Sequence, residues 1–285
     1  MGAAWGRKGA THDKIIIIHF KVPFNGIHRN PPASIGFIPE FAFQRPSPQA
    51  PSRFFYLAKM AIKLYANLIS QPSRAAEWVM RLKKLDHEFV LADFGAPIFS
   101  SAEFLALNPN GLIPVLQDGD FSLFEGNAIM PYLAEKFGWT DLYPADVQAH
   151  AKVNQYLHWH HTNARLITPK VLVPLLHTKQ NILTPEEAVL IKDTPALLTK
   201  QAELMEKFLV KDFVAETDHP TIADIAAYCE FVQVELMGIY DFSKYPKLAA
   251  WLGRMKTVPH HDEIHEPLNQ VLTSLGLKTK AAANP

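Results

Sequence analysis

Hydrophobic and polar positions follow no sustained rhythm over residues 1–59 and a regular one from Met60 onward. Ile62–Asn67 is a short, mostly apolar run and predicts a strand. Ser70 is placed to cap a following helix, with Pro72 in its first turn. Over 73–85, Ala75, Trp78, Leu82 and Leu85 recur at helical spacing, with Val79 beside them. Glu88–Asp93 predicts a second strand, and Ser100–Glu103 opens a short helix. Asn108-Pro109-Asn110-Gly111 is a turn by composition. Ile113–Gln117 and Phe121–Phe124 predict a strand pair joined by Asp118-Gly119-Asp120. Glu125–Phe137 then reads as a helix with Pro131 as a kink point.

From about residue 145 the strand signals stop. A long helical pattern covers 145–176, broken or bent near Pro169 and Pro174, and another covers 185–209. Thr221 opens a third helix in a capping box with Asp224. Segments 245–256 and 262–275 suggest two more. The order is β-α-β-α-β-β-α over 60–138, followed by an all-helical region over 145–276, with Leu142-Tyr143-Pro144 as the hinge.

Composition narrows the classes. The 285 residues are 48% hydrophobic and 20% charged, with a formal net charge of zero. No global charge points to nucleic acid or a membrane surface. No run approaches the ~20 apolar residues of a spanning helix. The single cysteine, Cys229, lies in an apolar helical stretch and reads as a buried thiol, which favours a reducing compartment.

Neutrality hides an asymmetry. Residues 1–59 hold 8 of the 28 basic residues but only Asp13 and Glu40 as acids, and 7 of the 22 prolines. This stretch is expected to be a loosely structured extension. It could be a mitochondrial-type targeting segment, a partner-binding tail, or sequence upstream of a true start at Met60. His158, His160 and His161 suggest a metal site, but only 158 and 161 share helical ligand spacing and no acid or cysteine completes the set. No metal is expected.

The segments LISQPSRA (68–75), NPNGLIPVLQDGDFSLFEGNAI (108–129), LYP (142–144) and TIADIAAY (221–228), in this order, resemble the glutathione S-transferases. The serine in LISQPSRA is similar to that of the theta and theta-like classes. The resemblance covers about three quarters of the chain and none of 1–59. It implies a thioredoxin-like N-terminal domain that binds glutathione, an all-helical second domain, a homodimer, and a cytoplasmic enzyme conjugating glutathione to small electrophiles, as in detoxification. A mitochondrial location is the alternative if 1–59 is a targeting segment.

The resemblance also implies roles. A thiol with a pKa of about 8.5 is mostly un-ionised near neutrality, and a hydroxyl donor aimed at sulfur favours the thiolate. Ser70 would be that donor; on position alone it is a helix cap. Gln71 would help hold glutathione, or be an ordinary first-turn polar residue. Ile113 would pair with the cysteinyl backbone across a cis bond to Pro114. Glu125 would take the γ-glutamyl ammonium, and the N–H groups at Gly126 its carboxylate. Arg165 would face the sulfur or a leaving group, or be a salt-bridged helix arginine. Trp159 and Leu166 would line the electrophile pocket.

Two departures stand out. The family's hydroxyl residue at position 126 is glycine here. The basic residues that clamp the glycine carboxylate fall, by alignment, on Phe99 and Leu112, and no Lys, Arg or His occurs between His87 and Lys136. Ser100, Ser101, Asn108 and Asn110 are the nearest polar substitutes. These gaps favour the alternative of a non-catalytic interaction or ligand-binding module.

Overall fold

The computed structural model describes residues 62–278. The expectations for 1–59 lie outside the described residues.

Strand β1 (Lys63–Ala66) leads into helix α1 (Gln71–Leu82) and then β2 (Glu88–Leu91). A 3-10 turn and the short helix α2 (Ala102–Leu107) precede the hairpin β3 (Val115–Asp118) and β4 (Phe121–Phe124). Helix α3 (Gly126–Phe137) closes the unit. The sheet runs β2-β1-β3-β4, with β1 parallel to β2 and antiparallel to β3. This is the expected β-α-β-α-β-β-α order and the thioredoxin-like arrangement. Pro131 sits inside α3 without ending it.

Helices α4 (Val147–Thr162), α5 (Val173–Gln180), α6 (Pro185–Phe208), α7 (Ile222–Met237), α8 (Pro246–Met255) and α9 (His261–Ser274) complete the described chain. The long pattern over 145–176 breaks at Asn163, whose backbone leaves the helical region (φ −129, ψ −92), and not at the prolines. Pro169 lies in a π turn over Thr168–Leu172, and Pro174 lies in the first turn of α5. Residues 167–180 form one helical run, and its π turn over Thr168–Leu172 carries Pro169 and precedes Pro174, so the prolines distort the ladder without ending the helix.

Helix α1 is the axle of the molecule. Ala76 and Met80 pack on Leu64 and Leu116 of the sheet. Ala75, Trp78 and Val79 join the core of the helical layer. Trp78 is fully buried, donates its indole N–H to the Pro259 carbonyl at 2.7 Å, and meets the His265 ring edge-on at 5.1 Å. A helix buried on both faces cannot shift without disturbing both layers, so its N-terminus is a rigid mount.

On the helical side, the Thr221–Asp224 capping box is present. Asp224 also accepts bonds from the Val214 N–H at 2.8 Å and the Trp251 indole at 2.9 Å. The carboxylate is fully buried, so these bonds replace the water it loses. Cys229 is buried, and burial pushes its thiol up to about 12, so it stays un-ionised.

Candidate functional site

The turn after β1 is built to hold one residue. The Asn67 side-chain oxygen accepts the Ile69 N–H at 3.0 Å, and the Asn67 carbonyl accepts the Ser70 N–H at 2.9 Å. From beneath, the buried guanidinium of Arg74 donates to the carbonyls of Leu68 at 2.9 Å and Ile69 at 2.8 Å. Its other arm donates to the Cys229 carbonyl on α7 at 2.9 Å. Ser70 therefore stands at the N-terminus of α1 in extended backbone (φ −79, ψ 125). It occupies the cap position, yet its hydroxyl makes no capping bond. The rival hydroxyl, Ser73, is fully buried and unpartnered, closed to any ligand.

Beside this mount lies a cleft of about 280 Å³. Pro72 of α1, the Ile113-Pro114 pair, and Glu125, Gly126 and Asn127 at the start of α3 line one side. His160, His161 and Arg165 line the other. The Ile113–Pro114 bond is cis. Glu125 has left-handed backbone (φ 74), a conformation that costs a non-glycine residue roughly 1–3 kcal/mol and clusters at ligand sites. The first N–H groups of α3 have no partner within the helix and, with the helix dipole, favour an anion.

The glycine at 126 has a local cause. A Cβ there would lie 2.9 Å from the Pro72 carbonyl oxygen and 3.0 Å from its Cβ. The N-termini of α1 and α3 touch at this point, leaving no room for a hydroxyl-bearing side chain.

Behind the cleft is a buried polar seam. Glu230 of α7 is fully buried. Its carboxylate accepts from Gln71 at 2.9 Å, Thr168 at 2.7 Å and Gln233 at 3.1 Å, and pairs with Arg165 at 3.3 Å. Gln71 also bonds Thr168. Burial pushes the Glu230 carboxyl up, and Arg165 pulls it part of the way back. His160 is buried, with its Nε2 3.9 Å from Glu230. Burial, with the charges of Arg165 and His161, holds it down to about 3, so it is neutral.

Five of the sequence-predicted residues thus share one cleft: Ile113, Pro114, Glu125, Gly126 and Arg165. Ser70 is not among the lining residues; Pro72, two residues along α1, is. Gln71 turns into the seam between the layers. Trp159 does not line this cleft; its ring packs on Phe208 at 4.8 Å. Leu166 is likewise absent from the lining. The apolar residues around Ile69, next to Ser70, come from Leu172 and Leu176 and from Leu268 and Leu272 of α9.

Sequence reasoning missed Arg74, His161 and Glu230. A glutamate inside AAYCEFVQV was a signal, because a charge within an apolar helix has to be paired.

Around Asn108, Asn110 and Leu112 the cleft lining carries no charge, and Phe99 is not part of it. Phe99 packs edge-on against Phe104 at 5.6 Å, and Leu112 is 46% exposed on the rim. The polar substitutes are already engaged. Ser101 caps α2, and the Ser100 hydroxyl donates to the Pro97 carbonyl. The Asn108 amide donates to the Leu112 carbonyl at 2.8 Å, and its oxygen accepts from Asn110. Among the described residues, no group of three or more His, Cys, Asp or Glu is placed to hold a metal ion, and no helix is long and apolar enough to cross a membrane.

Residues 60–135 match the family model of the glutathione S-transferase N-terminal domain. Glutathione S-transferase T1 of Arabidopsis thaliana is 34% identical over 231 residues, covering 74% of this chain and 91% of that protein. Glutathione S-transferase theta-2 of Rattus norvegicus is 33% identical, covering 79% and 94%. Against glutathione S-transferase T2 of Arabidopsis thaliana the identity is 33%, and the chain spans only 37% of that relative's length. Among solved structures, human glutathione transferase theta-2, in complex with glutathione and an unknown ligand, superposes with a TM-score of 0.68 at 29% identity, covering 78% of this chain and 95% of that one.

Proposed function

The chain belongs to the glutathione S-transferase family, and we propose that it conjugates the glutathione thiolate to small hydrophobic electrophiles, with Ser70 as the activating donor. The observation that carries this reading is the uncommitted Ser70 hydroxyl at the N-terminus of α1, beside a cleft that favours an anion. Glutathione lies along the cleft with its γ-glutamyl carboxylate on the first N–H groups of α3 and its ammonium on Glu125. Its cysteinyl backbone pairs with Ile113 beside cis-Pro114, which brings the sulfur toward Ser70. The thiol proton passes to solvent. The sulfur then uses its electron pair to form the C–S bond, and the leaving group departs with the pair of the broken bond. Arg165 supplies positive charge for the sulfur or the departing anion.

Thiolate absorbance of the full chain with bound glutathione, followed from about pH 5 to 10, tests this. The bound thiol is expected to titrate below its ordinary value of about 8.5. In Ser70→Ala the titration moves back up and turnover falls at neutral pH, because a donor to the charged form lowers a pKa. An unshifted thiol in the wild type removes the reading. It would favour the alternative of a non-catalytic ligand-binding module, which the uncharged end of the cleft at Leu112 supports.

The same reading expects a homodimer. Its support is apolar exposure at Phe121 on β4, Phe137 at the end of α3 and Val147 at the start of α4. Sedimentation velocity should give twice the chain mass; a monomer at micromolar concentration would discard it.

A further inference from the structure

We propose that Glu230 is a positioning residue for the thiol chemistry: it anchors the Arg165 guanidinium at the cleft and locks the Gln71 amide, one residue from Ser70, into the same seam. The inference rests on the reading of the cleft as a glutathione site.

A carboxylate fully buried in the middle of a helix is strongly unfavourable unless charged and hydrogen-bonding partners replace its water. Glu230 has partners on several sides. From α1 come Gln71 at 2.9 Å and the charge of Arg74. Arg165 and Thr168 come from the turns after α4, at 3.3 and 2.7 Å. On α4, neutral His160 lies 3.9 Å away without a hydrogen bond, and the buried Tyr156 hydroxyl is unpartnered. Gln233 lies one turn along its own helix. Two of these groups, Arg74 and Arg165, are cations, and they repel one another. Both bear on the site, Arg74 through the carbonyls of Leu68 and Ile69 and Arg165 by lining the cleft.

Glu230 is the anion between them. Arg74 is sealed in and cannot leave, whereas the Arg165 side chain is 33% exposed and can turn to water. Without the carboxylate charge, repulsion from Arg74 and hydration both draw Arg165 away from the cleft. Its field at the sulfur then weakens. Glu230 thereby acts through Arg165, although it touches neither the cleft nor a ligand.

The test is a double-mutant cycle in the full chain, using Glu230→Gln, Arg165→Gln and the pair. It reads the bound glutathione thiol pKa, kcat and KM with an aryl halide, and urea unfolding. Glu230→Gln keeps the volume and most hydrogen bonds but removes the charge. It is expected to raise the thiol pKa toward about 8.5 and lower kcat about ten-fold, with KM within about two-fold. Arg165→Gln should do the same, and the pair no more than either single variant. Glu230→Asp keeps the charge but withdraws it by one methylene, and should shift the thiol acidity constant and kcat in the same direction by about two- to three-fold. It is the readout that remains if Glu230→Gln does not fold.

A Glu230→Gln protein with wild-type thiol pKa and kcat, however destabilised, overturns the proposal. So does full additivity in the pair, or a Glu230→Asp protein with wild-type values. If the wild type shows no lowered thiol pKa, the reading of the cleft fails separately. The anchoring of Arg165 is then decided by unfolding: coupling between the two single variants keeps it, and additivity removes it.

Discussion

Arg74→Met should destabilise the protein by about 3–5 kcal/mol and release the turn that presents Ser70. The guanidinium is fully buried and spends its two arms on three backbone carbonyls, those of Leu68, Ile69 and Cys229. Methionine fills most of the same space but donates nothing. Each carbonyl left dry and unpaired costs about 1–3 kcal/mol, and Glu230 loses one of its two neighbouring cations. Burial already holds the Arg74 pKa below its ordinary value, a sign of how costly the charge is without those partners. The urea midpoint of unfolding should fall with an unchanged slope, and thiolate titration with glutathione should move up as in Ser70→Ala. A midpoint within experimental error of the wild type would mean that water enters and satisfies the three carbonyls. In that case the turn is held by Asn67 alone.

This prediction also marks the limit of sequence reading. The local pattern sufficed for the strands, for α1, for the capping box at Thr221 and for the break between the α/β and helical regions, because each depends on residues within a turn or two of one another. The cis bond at Pro114 was legible only through the family resemblance, since periodicity does not distinguish the isomers. The contacts that organise the site are of another kind. Gln71 meets Glu230 across 159 residues of chain, and Arg74 meets the Cys229 carbonyl across 155.

A buried arginine or glutamate has the same letter as a solvated one, and only the packing of α1 against α7 makes the difference. Gly126 is a similar case. In sequence it is a missing hydroxyl; in the fold it is the residue that lets α1 and α3 approach at Pro72. Gln71 shows the converse. The family resemblance implies a ligand contact for Gln71; in the fold its amide bonds Thr168 and Glu230 in the seam.

The uncharged end of the cleft leads to the second large effect. Leu112→Lys is expected to tighten glutathione binding by roughly ten- to a hundred-fold, the yield of one charge-assisted hydrogen bond of about 1.5–3 kcal/mol. Leu112 suits the change because its side chain is 46% exposed on the rim. Its carbonyl is held independently by the Asn108 amide at 2.8 Å, so the turn does not depend on the side chain. Inserting charge at the neighbouring Gly111 would fail, since a Cβ there meets the Phe99 carbonyl oxygen at 2.8 Å on left-handed backbone. With the γ-glutamyl end on α3 and the cysteinyl backbone along Ile113, the glycine carboxylate extends toward residue 112.

Calorimetry with glutathione, its glycine-carboxylate monoethyl ester and the neutral Leu112→Gln control separates the contributions. The gain should appear with glutathione, shrink at high salt, and be absent with the ester, whose glycine carboxylate carries no charge. A gain with both thiols would mean that the lysine raises the cleft's positive potential without meeting the carboxylate. No gain with either would mean that the glycine end lies elsewhere, toward His161 and Arg165. The cleft would then hold its ligand in an orientation other than the one the family resemblance implies.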